Sequence, residues 1–241
     1  NSGEDWTKNY YVDAFNPEFS RDIEPMSGGF GDNYYYQLAA FLRLFKGSRN
    51  PLPADGQTEM DPAGDVTQWD SVWPEYRDTA TDTYHRDSIG FGGFNYYTND
   101  SGRNDILTAK VSRSGDWVYF LVECQEDITA PEGSNWMNLF LDSDCDSTTG
   151  WAGYDFVLGR QVSALANGTG TVSVEAFSGD TWDRTAVGTA EITLNGRYLT
   201  LKVSAALCGL TGDFDFKWAD NSVDDGEVMA FLDQGDAAPN G

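Results

Sequence analysis

From about Asp55 to its end the chain is written in short alternating or apolar runs, separated by clusters of Gly, Asn, Asp and Ser. That punctuation belongs to strands and turns rather than helices. The runs predict strands at Ile106–Ser112, Trp117–Cys124, Trp136–Asp142, Tyr154–Arg160, Thr171–Phe177, Ala190–Leu194, Tyr198–Val203, Phe214–Ala219 and Glu227–Leu232. Ser114-Gly115-Asp116 and Asn195-Gly196 fall between adjacent runs, as hairpin turns do. Only Ser204–Leu210 reads as a helical turn in this part. The expected fold is mainly β: a two-sheet antiparallel β-sandwich, jelly-roll-like. Asp55–Arg103 is polar and aromatic with little periodicity, which predicts long loops and short strands.

The first fifty-odd residues differ. Tyr10–Phe15 suits a short strand, and Asn16-Pro17 ends it. Between Asn33 and Lys46, the residues Tyr34, Leu38, Phe41, Leu42 and Phe45 make one apolar stripe at helical spacing. Asp32 or Asn33 can cap that helix and Gly47 can end it. Asn50-Pro51-Leu52-Pro53 then reads as a stiff linker. The expected organisation is an N-terminal helical segment over 1–54 and a β-sandwich over 55–241.

Charge removes several function classes. Fifteen Lys and Arg stand against 39 Asp and Glu, a net charge of −24. Nucleic acid and anionic membrane surfaces need cations to neutralise phosphate, so neither is an expected partner. No apolar run approaches the roughly 18 residues of a membrane span. No signal peptide stands at Asn1, so the chain reads as a mature or trimmed piece. Cys124, Cys145 and Cys208 are too few for a disulfide framework, and the strand order speaks against pairing Cys124 with Cys145. His85 is the single histidine, beside Arg86 and Asp87, and better suits a hydrogen-bonded surface position than a catalytic triad.

Two patterns carry chemistry. In Asp142-Ser143-Asp144-Cys145-Asp146, carboxylates at alternate positions can fold around one hard cation, calcium above all, with Asp142, Asp144 and Asp146 as ligands. The alternative is a solvated Asx-rich turn, since no Glu closes a twelve-residue loop. A second acidic group, Asp220, Asn221, Asp224, Asp225 and Glu227, is a weaker candidate. The other pattern is aromatic: eight Trp and twelve Tyr, many in or beside expected loops. Flat aromatic faces beside amides and carboxylates suit sugar rings, although the same residues can fill a core. Period two divides the strand at 136–142 into Met137, Leu139 and Leu141, an apolar inner set, and Trp136, Asn138 and Phe140, a mixed set suited to a ligand face. Phe214–Ala219 divides in the same way and puts Lys217 with Asp215 on the polar side.

Asn135–Asp144 followed by Thr149-Gly150-Trp151-Ala152-Gly153-Tyr154-Asp155-Phe156 resembles carbohydrate-binding module family 9 and its DOMON-like relatives. Trp117–Glu123 resembles the preceding strand of that family, and Asp65-x-x-x-Trp69 its opening element. Phe216–Asn221 and Gly235–Pro239 resemble its last strands. The resemblance spans roughly 55–241 and implies a β-sandwich, structural calcium and a sugar cleft with tryptophans. Neither tryptophan of the family's sugar clamp carries over in register. Tyr11–Pro25 resembles the last strand and loop of glycoside-hydrolase-like barrels, with Asn33–Lys46 as the closing helix.

The expected function is non-catalytic carbohydrate binding by a C-terminal module of a secreted or surface, bacterial, glycan-acting protein, with a polysaccharide and the parent's catalytic domain as partners. Trp136 is the expected stacking platform, Asn138 and Lys217 the hydroxyl partners, and Trp69, Trp73 and Trp151 loop platforms. Two alternatives stand beside it. One is a glycoside hydrolase, or a fragment of one, using acids such as Glu18 and Glu24. The other is a structural module that binds no sugar.

Overall fold

The computed structural model describes residues 52–54, 56–78, 80–81, 83, 86–89, 96–99, 102–221, 225–228 and 230–239. The expected helix at 33–46, the carboxylates Glu18 and Glu24, and His85 lie outside the described residues.

The strands are β1 (Tyr76–Arg77), β2 (Arg86–Ile89), β3 (Tyr96–Asn99), β4 (Ile106–Ser114), β5 (Trp117–Cys124), β6 (Asn138–Asp142), β7 (Phe156–Val162), β8 (Thr169–Phe177), β9 (Arg184–Asn195), β10 (Tyr198–Ser204), β11 (Asp215–Asp220) and β12 (Asp236–Ala238). Eight of the nine predicted runs became strands. The ninth, Glu227–Leu232, did not: a single helical turn, α1 (Ala230–Asp233), stands at its end. Both expected hairpin turns form. Gly115 (φ 57°) joins β4 to β5 and Gly196 (φ 58°) joins β9 to β10. Each is the first of two turn residues, where a left-handed backbone favours glycine. Ser204–Leu210 forms hydrogen-bonded turns, with Leu207 N donating to Ser204 O and Leu210 N to Ala205 O, but no helix.

The mainly β, antiparallel expectation holds, but the two stacked sheets do not form: ten strands make one continuous antiparallel sheet, in the order β1-β4-β5-β10-β9-β8-β7-β6-β11-β12, and β2 and β3 pair only with each other. The sheet curls until its ends approach. Ile106 N of β4 donates to Asp236 Oδ2 of β12 at 2.5 Å, and Tyr76 of β1 meets Phe216 of β11 edge-on at 5.4 Å. The ladders shift register between Leu158 and Val162 in β7–β8, between Val174 and Glu175 in β8–β9 and between Ile106 and Thr108 in β4–β5. A bulge disrupts the ladder locally and bends its strand. Gly159 (φ 103°) sits inside the first bulge, where a Cβ would lie 3.1 Å from Met137 O.

The enclosed core follows the period-two pattern. Val118, Phe120, Val122 and Cys124 of β5, Leu139 and Leu141 of β6, Leu199, Leu201 and Val203 of β10, and Trp218 of β11 belong to one buried cluster. The outer face carries two smaller clusters. Phe140, Trp151, Val157, Ala219 and Ala237 are joined by Tyr154, Phe177, Trp182 and Phe231 over β6, β7 and β11. Tyr119 and Leu121 of β5 pack under Met60, Trp69 and Val72. These last three come from a strap, residues 56–75, laid across the sheet.

A polar latch holds the ends of the curl. Asp220 is fully buried and accepts from Arg103 Nη2 (2.9 Å) and Nε (3.1 Å), Asn104 Nδ2 (3.1 Å) and Met137 N (2.9 Å). Every bond is charge-assisted, which makes burial of the carboxylate tolerable.

Candidate functional site

The strap is fixed to β4. Ser112 Oγ accepts from Thr58 N (3.1 Å) and donates to Thr58 O (2.8 Å), and Arg113 N donates to Gly56 O (3.0 Å). Lys110 Nζ donates to Trp69 O (3.0 Å) and pairs with Glu75 (3.1 Å). That ammonium, and then the Arg77 guanidinium, holds the Glu75 carboxyl below the usual range. Between these anchors, Asp61–Gly64 turns and Val66–Trp69 forms one 3-10 turn. Asp65 caps it, accepting from Thr67 N at 2.8 Å, and those Thr67 hydrogen bonds lower its pKa. Asp61 and Gln68 close the strap on itself: Asp61 N donates to Gln68 Oε1 and Gln68 Nε2 donates to Asp61 O, both at 2.9 Å.

Opposite the strap, the sheet presents a row of threonines. Thr169 of β8 pairs with Thr193 of β9, which pairs with Thr200 of β10. Two residues along the ladder, Asn195 pairs with Tyr198. Asn167 and Gly168 take left-handed φ of 52° and 82° in the turn before β8. Gly168 O receives Leu194 N at 2.8 Å, and a Cβ on Gly168 would lie 2.5 Å from Leu194 O. Close backbone approach therefore requires glycine there.

A pocket of about 210 Å³ lies between strap and threonine row. Pro62, Ala63, Gly64, Val66, Gln68 and Trp69 line it from the strap, and Asn167, Thr169, Thr193, Leu194, Asn195, Tyr198 and Thr200 from the sheet. None of these residues carries a formal charge at neutral pH. Trp69 and Thr193 are 1% and 8% exposed, and Trp69 Nε1 and Thr193 Oγ1 have no hydrogen-bond partner among the described residues. An unmet buried polar group costs about 1–3 kcal/mol, so one on each wall points to a polar occupant.

Of the six expected sugar contacts, only Trp69 lines this pocket. Trp73 is 63% exposed but outside the lining. Trp136 is fully buried, and its Nε1–H donates to Thr129 O at 2.9 Å, so its ring faces cannot stack on a sugar. The strand alternation starts two residues later than the sequence pattern predicts. Met137 has φ 41°, β6 begins only at Asn138, and the backbone twist turns Trp136 into the core. Asn138 is 1% exposed, with Nδ2 donating to Trp136 O (3.2 Å) and Oδ1 unpartnered. Lys217 does lie on the face opposite Trp218, and its Nζ donates to Pro239 O at 2.9 Å. Trp151 is buried in the outer aromatic cluster, edge-on to Trp182 at 4.4 Å. None of these four reaches the pocket.

The acidic turn gathers three carboxylates with one substitution. Asp142, Asp144 and Asp155 each offer an oxygen within 4.8 Å of the others, an arrangement able to hold a hard cation. Asp146 is not in the group, and its carboxylate accepts from Thr148 N (2.9 Å) and Oγ1 (2.6 Å). Asp155 arrives instead because Trp151 and Tyr154 exchange backbone hydrogen bonds (2.8 and 2.9 Å), folding the Gly150–Asp155 turn back on β6. Burial, then the like charges of Asp155 and Asp144, pushes the Asp142 carboxyl above its ordinary value. Asp220 and Asp225 of the second acidic group do not converge: Asp220 faces Arg103, and Asp225 pairs with Arg160 at 3.0 Å. All three cysteines are free thiols. Burial pushes the Cys208 thiol up to about 12. No helix among the described residues is long and apolar enough to cross a membrane.

Threonines 169, 193 and 200, Tyr198, Asn195, Asn167 and Gln68 were not singled out from the sequence. Alternate threonines on neighbouring strands were visible, but nothing in the chain announced that a strap some hundred residues upstream would roof them. No family model, curated protein or solved structure matches the chain.

Proposed function

We propose that this chain is a non-catalytic saccharide-binding module of a secreted, glycan-acting protein, and that its binding site is the pocket between the strap and the threonine row. The observation that carries this reading is the pocket wall: hydroxyls, amides, one indole and one phenol, with two polar groups unmet. Hydroxyl-rich ligands offer both donors and acceptors to such a wall, and the half-buried Tyr198 ring, rather than the buried Trp69 indole, is the aromatic face left for their C–H surfaces. The volume is below the roughly 300–1,000 Å³ typical of drug-sized ligands, which fits one ring rather than a long segment. Hydrolysis needs two carboxyl groups flanking a bond, and no acid lines the pocket. The carboxylates Asp142, Asp144 and Asp155 support a structural calcium ion, which would neutralise their mutual repulsion.

Affinity electrophoresis and calorimetry of the isolated chain against a broad glycan panel test the reading, alongside a turnover assay. Binding without turnover is expected. A flat titration across the panel removes it in favour of a structural module, and cleavage of any glycan removes it in favour of an enzyme.

A further inference from the structure

The charge distribution around the pocket constrains which sugars enter. The lining is uncharged, whereas the surroundings are acidic. Asp61 precedes the lining segment of the strap and Asp65 stands within it between Gly64 and Val66, Glu123 contacts Tyr198, and Asp127 Oδ1 lies 3.1 Å from the Cβ position of Gly196. The two described cations that touch the lining are already paired: Lys110, which donates to Trp69 O, with Glu75, and Arg197, which donates to the Tyr198 hydroxyl, with Glu123. A carboxylate or phosphate brought into this pocket would lose water without gaining a cation, against the field of a chain with net charge −24. A neutral ring meets no such penalty, and its hydroxyls complement the Trp69 Nε1–H donor and the Thr193 hydroxyl, both covered and without a partner among the described residues until a ligand draws them toward it.

Resting on the saccharide reading above, we propose that the pocket selects a neutral sugar ring, rejects uronic and phosphorylated sugars, and uses Thr193 as a specificity determinant. A site built to hydrogen-bond a hydroxyl discriminates strongly, because a ligand that leaves its polar groups unmet forfeits the pairing. Thr193 sits mid-ladder, opposite both Thr169 and Thr200, so its side chain is positioned by two neighbouring strands.

Calorimetry on the full chain compares methyl glycosides of glucose, galactose and mannose with glucuronate, galacturonate and glucose 6-phosphate. At least one neutral glycoside is expected to bind, with the matched acidic sugar at least about tenfold weaker. Thr193→Val is nearly isosteric and is expected to keep the melting temperature while weakening the neutral sugar about tenfold. Thr193→Ser is expected to restore most of that loss. Equal binding of neutral and acidic sugars overturns the charge selection but leaves the saccharide reading standing. Unchanged affinity in Thr193→Val shows that water, not ligand, meets Oγ1, and overturns the role of Thr193. Failure of every sugar to bind overturns the selection together with the function on which it rests.

Discussion

Asp220→Ala should loosen the closure of the sheet. The carboxylate receives four hydrogen bonds from three residues on two segments: Arg103 and Asn104 before β4, and Met137 before β6. Its loss does not strand all of them equally. Arg103 is 18% exposed and keeps Glu132 O and Asn135 O, both at 3.2 Å. Asn104 keeps Thr129 Oγ1 at 3.2 Å. Met137 N loses its acceptor outright, inside the core. Removing one partner of a buried ion pair typically costs about 3–5 kcal/mol. For a β domain of this length each kcal/mol lowers the melting temperature by about 2–4 °C, so the fall should be roughly 6–20 °C. Asp220→Asn, which keeps one acceptor, should fall between. Arg103→Ala combined with Asp220→Ala should cost less than the sum of the single changes, since both remove the same pair. Thermal melting by circular dichroism measures all four. A loss under about 2 °C for Asp220→Ala, the scale of a surface change, would refute the latch.

Two further outcomes test the strap and the acidic turn. Glu75 has its pKa lowered by Lys110 and Arg77, so its stabilisation is complete above the ordinary glutamate value and is lost as pH falls through the lowered folded value. Glu75→Gln should therefore melt about 2–4 °C below the parent at pH 7, with the gap closing under acid; a gap independent of pH would contradict the pairing. Calcium in excess should raise the melting temperature of the parent and of Asp146→Asn, but not of Asp142→Asn or Asp155→Asn. If a chelator shifts nothing in the parent, the acidic turn holds no ion.

The sequence expressed its strands well because alternation, glycine turns and β-branched runs are local signals. Gly115 and Gly196 stand at the turns they foretell, and Leu139 and Leu141 face inward as their spacing implies. What escaped was set by events of low sequence visibility. The left-handed Met137 redirected Trp136, and a methionine gives no warning of that backbone state. The register shift around Gly159 was also unannounced, because a glycine in an apolar run is an ambiguous sign. Asp155 displaced Asp146 because a tight turn overrode linear spacing. The pocket was least visible, because its two walls come from Pro62–Trp69 and from residues 167–200, joined only by tertiary packing.

The account stands on the pocket between strap and threonine row as the place where ligand sits. Titrating isotope-labelled chain with the tightest neutral sugar, and following amide and indole N–H shifts by nuclear magnetic resonance, tests that directly. Perturbations centred on Thr193, Thr200, Tyr198 and the Trp69 indole are predicted. Saturable binding whose shifts instead centre on Trp73, Lys217 or the acidic turn, with Thr193 and Trp69 unmoved, would contradict it.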